Sequence, residues 1–151
     1  MPSQATASRT PLGRSLTYRL HLLHKVTDQA THKSYLETLG LSLSDGRLLA
    51  AVGAFGPLSV NELAGHANLN KSQASRAAQY LVDQGLVEKA DHPGDGRGVV
   101  LSLTPAGRKL WSRAMALIER RNREIFGCLA AGERRLLSDI FDRLIEHNRP
   151  A

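Results

Sequence analysis

A chain of 151 residues is long enough for one domain with a real core, or for a small domain carrying a dimerisation element. Its 20 Lys and Arg outweigh 14 Asp and Glu, a formal net charge of +6 that favours an anionic partner without requiring one. A single cysteine, Cys128, excludes an internal disulfide framework and multi-cysteine zinc patterns. No stretch reaches the roughly 18 apolar residues of a membrane span, so a cytoplasmic protein with no membrane partner is expected.

Residues 1–11 are polar, lack the apolar core of a signal peptide, and read as a disordered arm. From about residue 12 to 38 the pattern is helical. Leu16, Leu20, Leu23 and Val26 step along one face, with Leu12 a turn earlier and Leu22 broadening the stripe. Thr27, Thr31 and Ser34 lower the propensity beyond Val26 and leave room for a kink, and Gly40 ends the helix. Its surface carries Arg14, Arg19, Lys25 and Lys33 with His21, His24 and His32. A second helix is expected to open at Ser44, with Asp45 favourably placed against the dipole and Leu48, Val52 and Phe55 as its buried line; Gly56-Pro57 stops it. Ser59-Val-Asn-Glu62 is a capping box, and Val60, Leu63, Ala64 and Ala67 give the short helix it starts one apolar face. Asn68-Leu69-Asn70 is the turn into the next helix, making a helix-turn-helix whose turn lacks glycine.

The helix from Lys71 is the recognition candidate. Asn70 is its N-cap, and Gln73 can reach back as in a capping box. Ala74, Ala77, Ala78 and Leu81 share one face and Ser72, Ser75, Arg76 and Gln79 the other. Small buried alanines let a helix sit close to its neighbours, while short donors and a guanidinium on the outer face suit a DNA major groove. Arg76 and Gln73 are able to make bidentate contacts with guanine and adenine; the alternative is a solvated helix face. Gly85 supplies a left-handed stop. Two strand-like runs follow, 86–90 and 99–104, the second with Val99, Leu101 and Leu103 expected on one buried face. Pro93-Gly94-Asp95-Gly96 between them is turn chemistry. Arg97 on a protruding tip is able to enter a narrow minor groove, and Asp95, two residues away, to hold it outward. The layout is a winged helix-turn-helix over residues 41–104. The alternative is an ordinary helix and hairpin with a solvated turn.

Thr104-Pro105 opens a helix running to about Phe126. Trp111, Met115, Ile118, Asn122 and Ile125 form its seam, with Leu110, Ala114 and Leu117 beside it, while Arg120, Arg121 and Arg123 read as solvated or ion-paired. A last helix, about 131–148, carries Leu136, Leu137, Ile140, Phe141, Leu144 and Ile145 as a wide stripe. Residues 12–40 and 105–148 therefore hold more apolar surface than one small module can cover. A homodimer through these helices is expected, as a pseudo-palindromic operator requires. The fold class is mainly α with a small β-wing: a winged helix-turn-helix core flanked by N- and C-terminal dimerisation helices.

Several motifs carry a family resemblance. They are Leu41-Ser-Leu-Ser-Asp-Gly-Arg before a helix, Ser59-Val-Asn-Glu-Leu-Ala, Lys71-Ser-Gln-Ala-Ser-Arg, Leu81-Val-Asp-Gln-Gly-Leu-Val-Glu, Asp95-Gly-Arg and Leu103-Thr-Pro-Ala-Gly. In this order the chain resembles the multiple-antibiotic-resistance regulator (MarR) family over roughly residues 12–148, most specifically at the wing and the helix start after it. The resemblance implies a homodimeric transcription factor on double-stranded DNA, usually a repressor whose affinity falls when a small molecule binds. It implies DNA contacts from Ser72, Gln73, Ser75 and Arg76, with Lys71 on phosphate, Arg97 in the minor groove and Asp95 holding it. It also implies an effector pocket between the dimerisation helices and the winged module, lined by Tyr18, His21, Leu22 and Lys25 on the first helix and Arg47 and Ala51 on the second. The cationic character of His21, Lys25 and Arg47 favours a carboxylate, such as an aromatic acid, as effector.

Nothing in the sequence resembles a nucleophile–base pair or a metal constellation, so no enzyme, no cofactor and no metal site is expected. His21 and His24 lie one turn apart, but two histidines do not fill a tetrahedral zinc site and His32 is too far along. Cys128 reads as a small buried hydrophobe rather than a redox sensor. An effector-independent architectural DNA-binding protein and a metal-responsive regulator are the competing readings.

Overall fold

A computed structural model describes residues 9–91 and 98–151. A 3-10 turn at Leu12–Arg14 precedes helices α1 (Leu16–Leu39), α2 (Leu43–Phe55), α3 (Val60–His66) and α4 (Lys71–Asp83). Strands β1 (Val87–Asp91) and β2 (Val99–Leu103) follow, then α5 (Pro105–Phe126) and α6 (Ala131–Asn148). The elements are those expected, mainly α with a two-stranded antiparallel wing.

The first helix is unbroken from Leu16 to Leu39, with no interruption after Val26. Thr27 and Thr31 turn their hydroxyls back onto the carbonyls of Leu23 and Thr27, each at 2.8 Å, so the residues expected to weaken the helix are satisfied inside it. Gly40 closes it in the left-handed region at φ 67°. The cap of α2 is Ser42 and not Ser44: its hydroxyl accepts from the Asp45 N–H at 3.2 Å, one turn in. Around α2 stand α1, α3, α4 and α5, which bury it on several sides. Its buried residues are Gly46, Leu48, Leu49, Ala51 and Val52, whereas Phe55, expected inside, is 51% exposed.

Both expected capping boxes of the helix-turn-helix are present, at Ser59–Glu62 and Asn70–Gln73. Alanines 74, 77 and 78 and Leu81 are buried on α4, which packs on α2 and α3. Gly85 adopts φ 71° after the helix, as its place at the stop requires. The hairpin pairs Val87 with Leu103 through to Asp91 with Val99. Burial along β2 peaks in the middle of the strand rather than alternating strictly: Val100 and Leu101 are both buried, Ser102 and Leu103 half-buried and Val99 exposed. A second partner meets the strand there, the Leu101 N–H donating to the Leu58 carbonyl at 2.9 Å. Thr104 welds the hairpin to α5, donating to the Gly85 carbonyl at 2.6 Å and accepting from the Gly107 N–H at 3.0 Å. At Gly107 a Cβ would lie 1.8 Å from the Leu86 carbonyl oxygen, so only glycine fits this crossing.

The inner line of α5 runs through Gly107, Ala114 and Leu117, with Trp111, Met115 and Ile118 half-buried beside it. The expected seam is thus rotated, and Asn122 is exposed. Arg113 donates to the Thr38 carbonyl and Arg121 to the Thr31 hydroxyl at 3.0 Å, fastening α5 to α1, while Glu124 of α5 itself holds Arg121 at 2.6 Å. Arg120 pairs with Glu124 at 3.3 Å. No residue of α6 is buried, and the helix makes no extensive contact with any other element. Cys128 is exposed, not buried, because the α5–α6 turn lies outside the packed core.

Candidate nucleic-acid interface and ligand cleft

The outer face of α4 is prepared by its inner one. Alanine side chains bring the helix close to α2 and α3, while Lys71, Ser72, Ser75, Arg76 and Gln79 remain exposed. Among the described residues neither Lys71 nor Arg76 is held in an ion pair. Gln73 differs from its neighbours. Its Oε1 accepts from the Asn70 N–H at 3.1 Å, its own N–H donates to Asn70 Oδ1 at 2.8 Å, and it is only half-exposed. A bidentate adenine contact from Gln73 would have to break that cap. Gln79 is engaged too, donating to Asp83 at 2.8 Å and accepting from Lys89 of β1 at 3.4 Å. Asp95 and Arg97 lie outside the described residues.

Beside the module runs a cleft of about 290 Å³. Arg47, Ala50, Ala51 and Phe55 of α2 form one wall, Met115 and Ile118 of α5 another, and Tyr35 of α1 lies at the side. His66, Ala67 and Asn68, at the turn into α4, complete it. The His66 ring stacks on Phe55 with centroids 4.3 Å apart and planes 16° from parallel. Burial pushes the Tyr35 phenol up from its ordinary range; the Arg47 guanidinium opposes this and Asp28 adds to it. The phenol therefore stays protonated at neutral pH. Arg47 Nη2 donates to Asp28 Oδ1 at 3.0 Å, and His24 Nε2 lies 3.1 Å from the other oxygen of the same carboxylate.

Of the six residues expected around an effector, Arg47 and Ala51 line this cleft. Tyr18, His21, Leu22 and Lys25 do not: they are exposed on the first half of α1. At 1.5 Å per residue, Tyr18 lies about 25 Å along the helix from Tyr35, where α1 meets α2 and α5. Tyr35 and His66 line the cleft without having been expected there from the sequence. The spacing of Thr31, Tyr35 and Leu39 marks the buried line of the second half of α1, and that line was the available signal for Tyr35. Nothing in the local pattern singles out His66.

A larger groove of about 600 Å³ separates the end of α5 from the start of α6, between Arg123, Phe126, Arg134, Leu137 and Phe141. Among the described residues no cluster of three His, Cys, Asp or Glu side chains is arranged to hold a metal ion, and His24 is paired with Asp28. No described helix is long and apolar enough to cross a membrane.

Comparison with known proteins gives this architecture its relatives. The MarR family sequence model matches residues 39–98, from the end of α1 through the hairpin. The HTH-type transcriptional repressor Rv2887 of Mycobacterium tuberculosis is 28% identical over 138 residues, covering 91% of this chain and 96% of the relative. The HTH-type transcriptional regulator BilQ of Clostridium symbiosum is 27% identical over 112 residues, 74% of this chain and 78% of its own. A MarR family regulator from Silicibacter pomeroyi superposes with a TM-score of 0.79 at 25% identity, over 93% of this chain and 94% of the other. The crystal structure of Rv2887 in complex with salicylic acid superposes at 0.70 with 27% identity, over 91% and 98% of the two chains. These relatives are transcription regulators and not enzymes. The agreement in fold covers the helices, the helix-turn-helix and the hairpin, and over residues 39–98 the chain resembles the MarR family of winged-helix transcriptional regulators.

Proposed function

We propose that the protein is a homodimeric repressor that holds a pseudo-palindromic operator through two copies of α4 and the wing, and releases it when a small aromatic carboxylate enters the cleft. The observation that carries the DNA reading is the division of α4 into a buried alanine face and an exposed face of Lys71, Ser72, Ser75 and Arg76. Arg76 is the base reader, Lys71 a phosphate contact, and Ser72 and Ser75 short donors beside them. Gln73 acts first as a cap. Arg97 enters the minor groove beside the major-groove site, with Asp95 holding it. The exposed apolar stripes of α1 and α6 support the homodimer. On that arrangement Tyr18, His21, Leu22 and Lys25 belong to the α1 surface that the second copy approaches.

Two observations support an aromatic acid. Arg47 supplies a guanidinium in a cleft otherwise walled by apolar and aromatic side chains, and the relative Rv2887 has been crystallised with salicylic acid. The cleft also touches the turn that sets α4: Asn68 lines it while holding a left-handed φ of 56°. A ligand wedged between α5 and that turn bears directly on the recognition helix. A footprint on the DNA upstream of the protein's own gene, repeated with a panel of small carboxylic acids, tests the proposal. Two symmetric protected half-sites, lost with an aromatic acid, are expected. Protection unaffected by every acid would leave a regulator without this effector, and uniform protection of all sequences would overturn the operator reading.

A further inference from the structure

We propose that Asp28 is an internal competitor for the cleft's cation, so that a carboxylate ligand must draw Arg47 away from Asp28 while His24 retains the displaced side chain. The inference rests on the cleft binding a carboxylate. Its basis is the division of one carboxylate between two partners: Oδ1 takes Arg47 Nη2 at 3.0 Å, and Oδ2 lies 3.1 Å from His24 Nε2. The Arg47 contact runs from a single nitrogen to a single oxygen. A guanidinium offers five donors in a planar fork, and its strongest carboxylate complexes are bidentate. An incoming acid thus gains a second hydrogen bond that Asp28 does not have. The side chains of Asp28 and Arg47 are both largely covered, at 26% and 34% exposure, so solvent screens two anions around one guanidinium only in part. His24, by contrast, is well exposed and sits one turn before Asp28 on α1, where it can follow the carboxylate without disturbing α2. The three residues set the threshold concentration at which an acid is sensed, and they favour ligands able to grip both edges of the guanidinium.

Calorimetric titration of the full chain with salicylate and with neutral salicylamide tests this. Asp28→Asn removes the competing charge at constant shape and is expected to tighten salicylate binding about fivefold, the upper range for a partly exposed ion pair, with salicylamide unchanged. Asp28→Glu keeps the charge and is expected to stay near the wild-type affinity. His24→Leu leaves Arg47 as the sole partner of Asp28 and is expected to weaken salicylate by a smaller factor. If Asp28 instead orients Arg47 for the ligand, Asp28→Asn weakens salicylate binding, and the proposal is overturned while the carboxylate cleft stands. Equal changes for salicylate and salicylamide mark a merely structural role and overturn it as well. Should neither wild type nor any variant bind salicylate, both this inference and the carboxylate reading of the cleft fall.

Discussion

The winged module and the terminal helices bury their apolar residues by different means. Leu48, Leu49, Leu63, Leu81 and Leu101 are fully enclosed within the one chain, and α4 reaches them through alanines. The first half of α1 and the whole of α6 carry stripes as regular in sequence, yet Leu16 is 79% and Leu136 60% exposed. Apolar surface stabilises only when it leaves water, by roughly 25 cal/mol per Å². The module is complete in itself, and on the proposed reading the terminal helices are completed by a second copy. The cleft of Arg47 lies where α2 meets the second half of α1, α5 and the turn into α4.

The comparison breaks most sharply in the module's core. Leu81→Ala should destabilise the fold by about 3 kcal/mol, read by chemical denaturation, because a closed core cannot refill the cavity. A cost below 1 kcal/mol would mean that the module is not closed. In the terminal helices the readout changes. Leu144→Asp places a charge on a stripe that is already exposed in the single chain, so it should halve the mass measured by light scattering and abolish operator binding while the far-ultraviolet circular dichroism stays helical. Retention of the dimer would move the interface elsewhere.

On α4 the expected effects are smaller and differ in kind. Arg76→Ala should cost about 1–3 kcal/mol on the cognate site and relax the preference at one base pair. Lys71→Ala should weaken binding to all sequences alike and lower the salt slope by about one. Equal losses on cognate and random DNA for both variants would refute the division between reader and phosphate contact. For the wing, titration of Asp95→Ala at fixed salt gives opposite signs for two roles: weaker operator binding if the aspartate positions Arg97, tighter if it is only a negative charge near phosphate. The smallest effect is expected of Gln73→Ala. Loss of the capping box should lower stability by about 1 kcal/mol and leave base preference unchanged; a changed preference would restore Gln73 as a base reader.

Features set by local chemistry were legible in the sequence. Both capping boxes, the stop at Gly85, the Thr104-Pro105 helix start and the alanine face of α4 stand where spacing placed them. Features that depend on which neighbours surround an element were less so. Phe55 fits the periodicity of α2 but stacks on His66 at the cleft and stays 51% exposed, and Leu101 meets Leu58 as a second partner beside the hairpin. The cleft was half legible for the same reason. Arg47 and Ala51 share a helix face visible in sequence, whereas Tyr35, His66 and Met115 come from three other elements that only the fold brings together.

Sedimentation equilibrium of the wild-type chain tests the contrast between the two regions most directly. A mass twice that of the chain, falling toward one chain only on extreme dilution, is the result expected if α1 and α6 are completed by a second copy. A single-chain mass at every concentration would contradict it, and the exposed stripes would then need another partner.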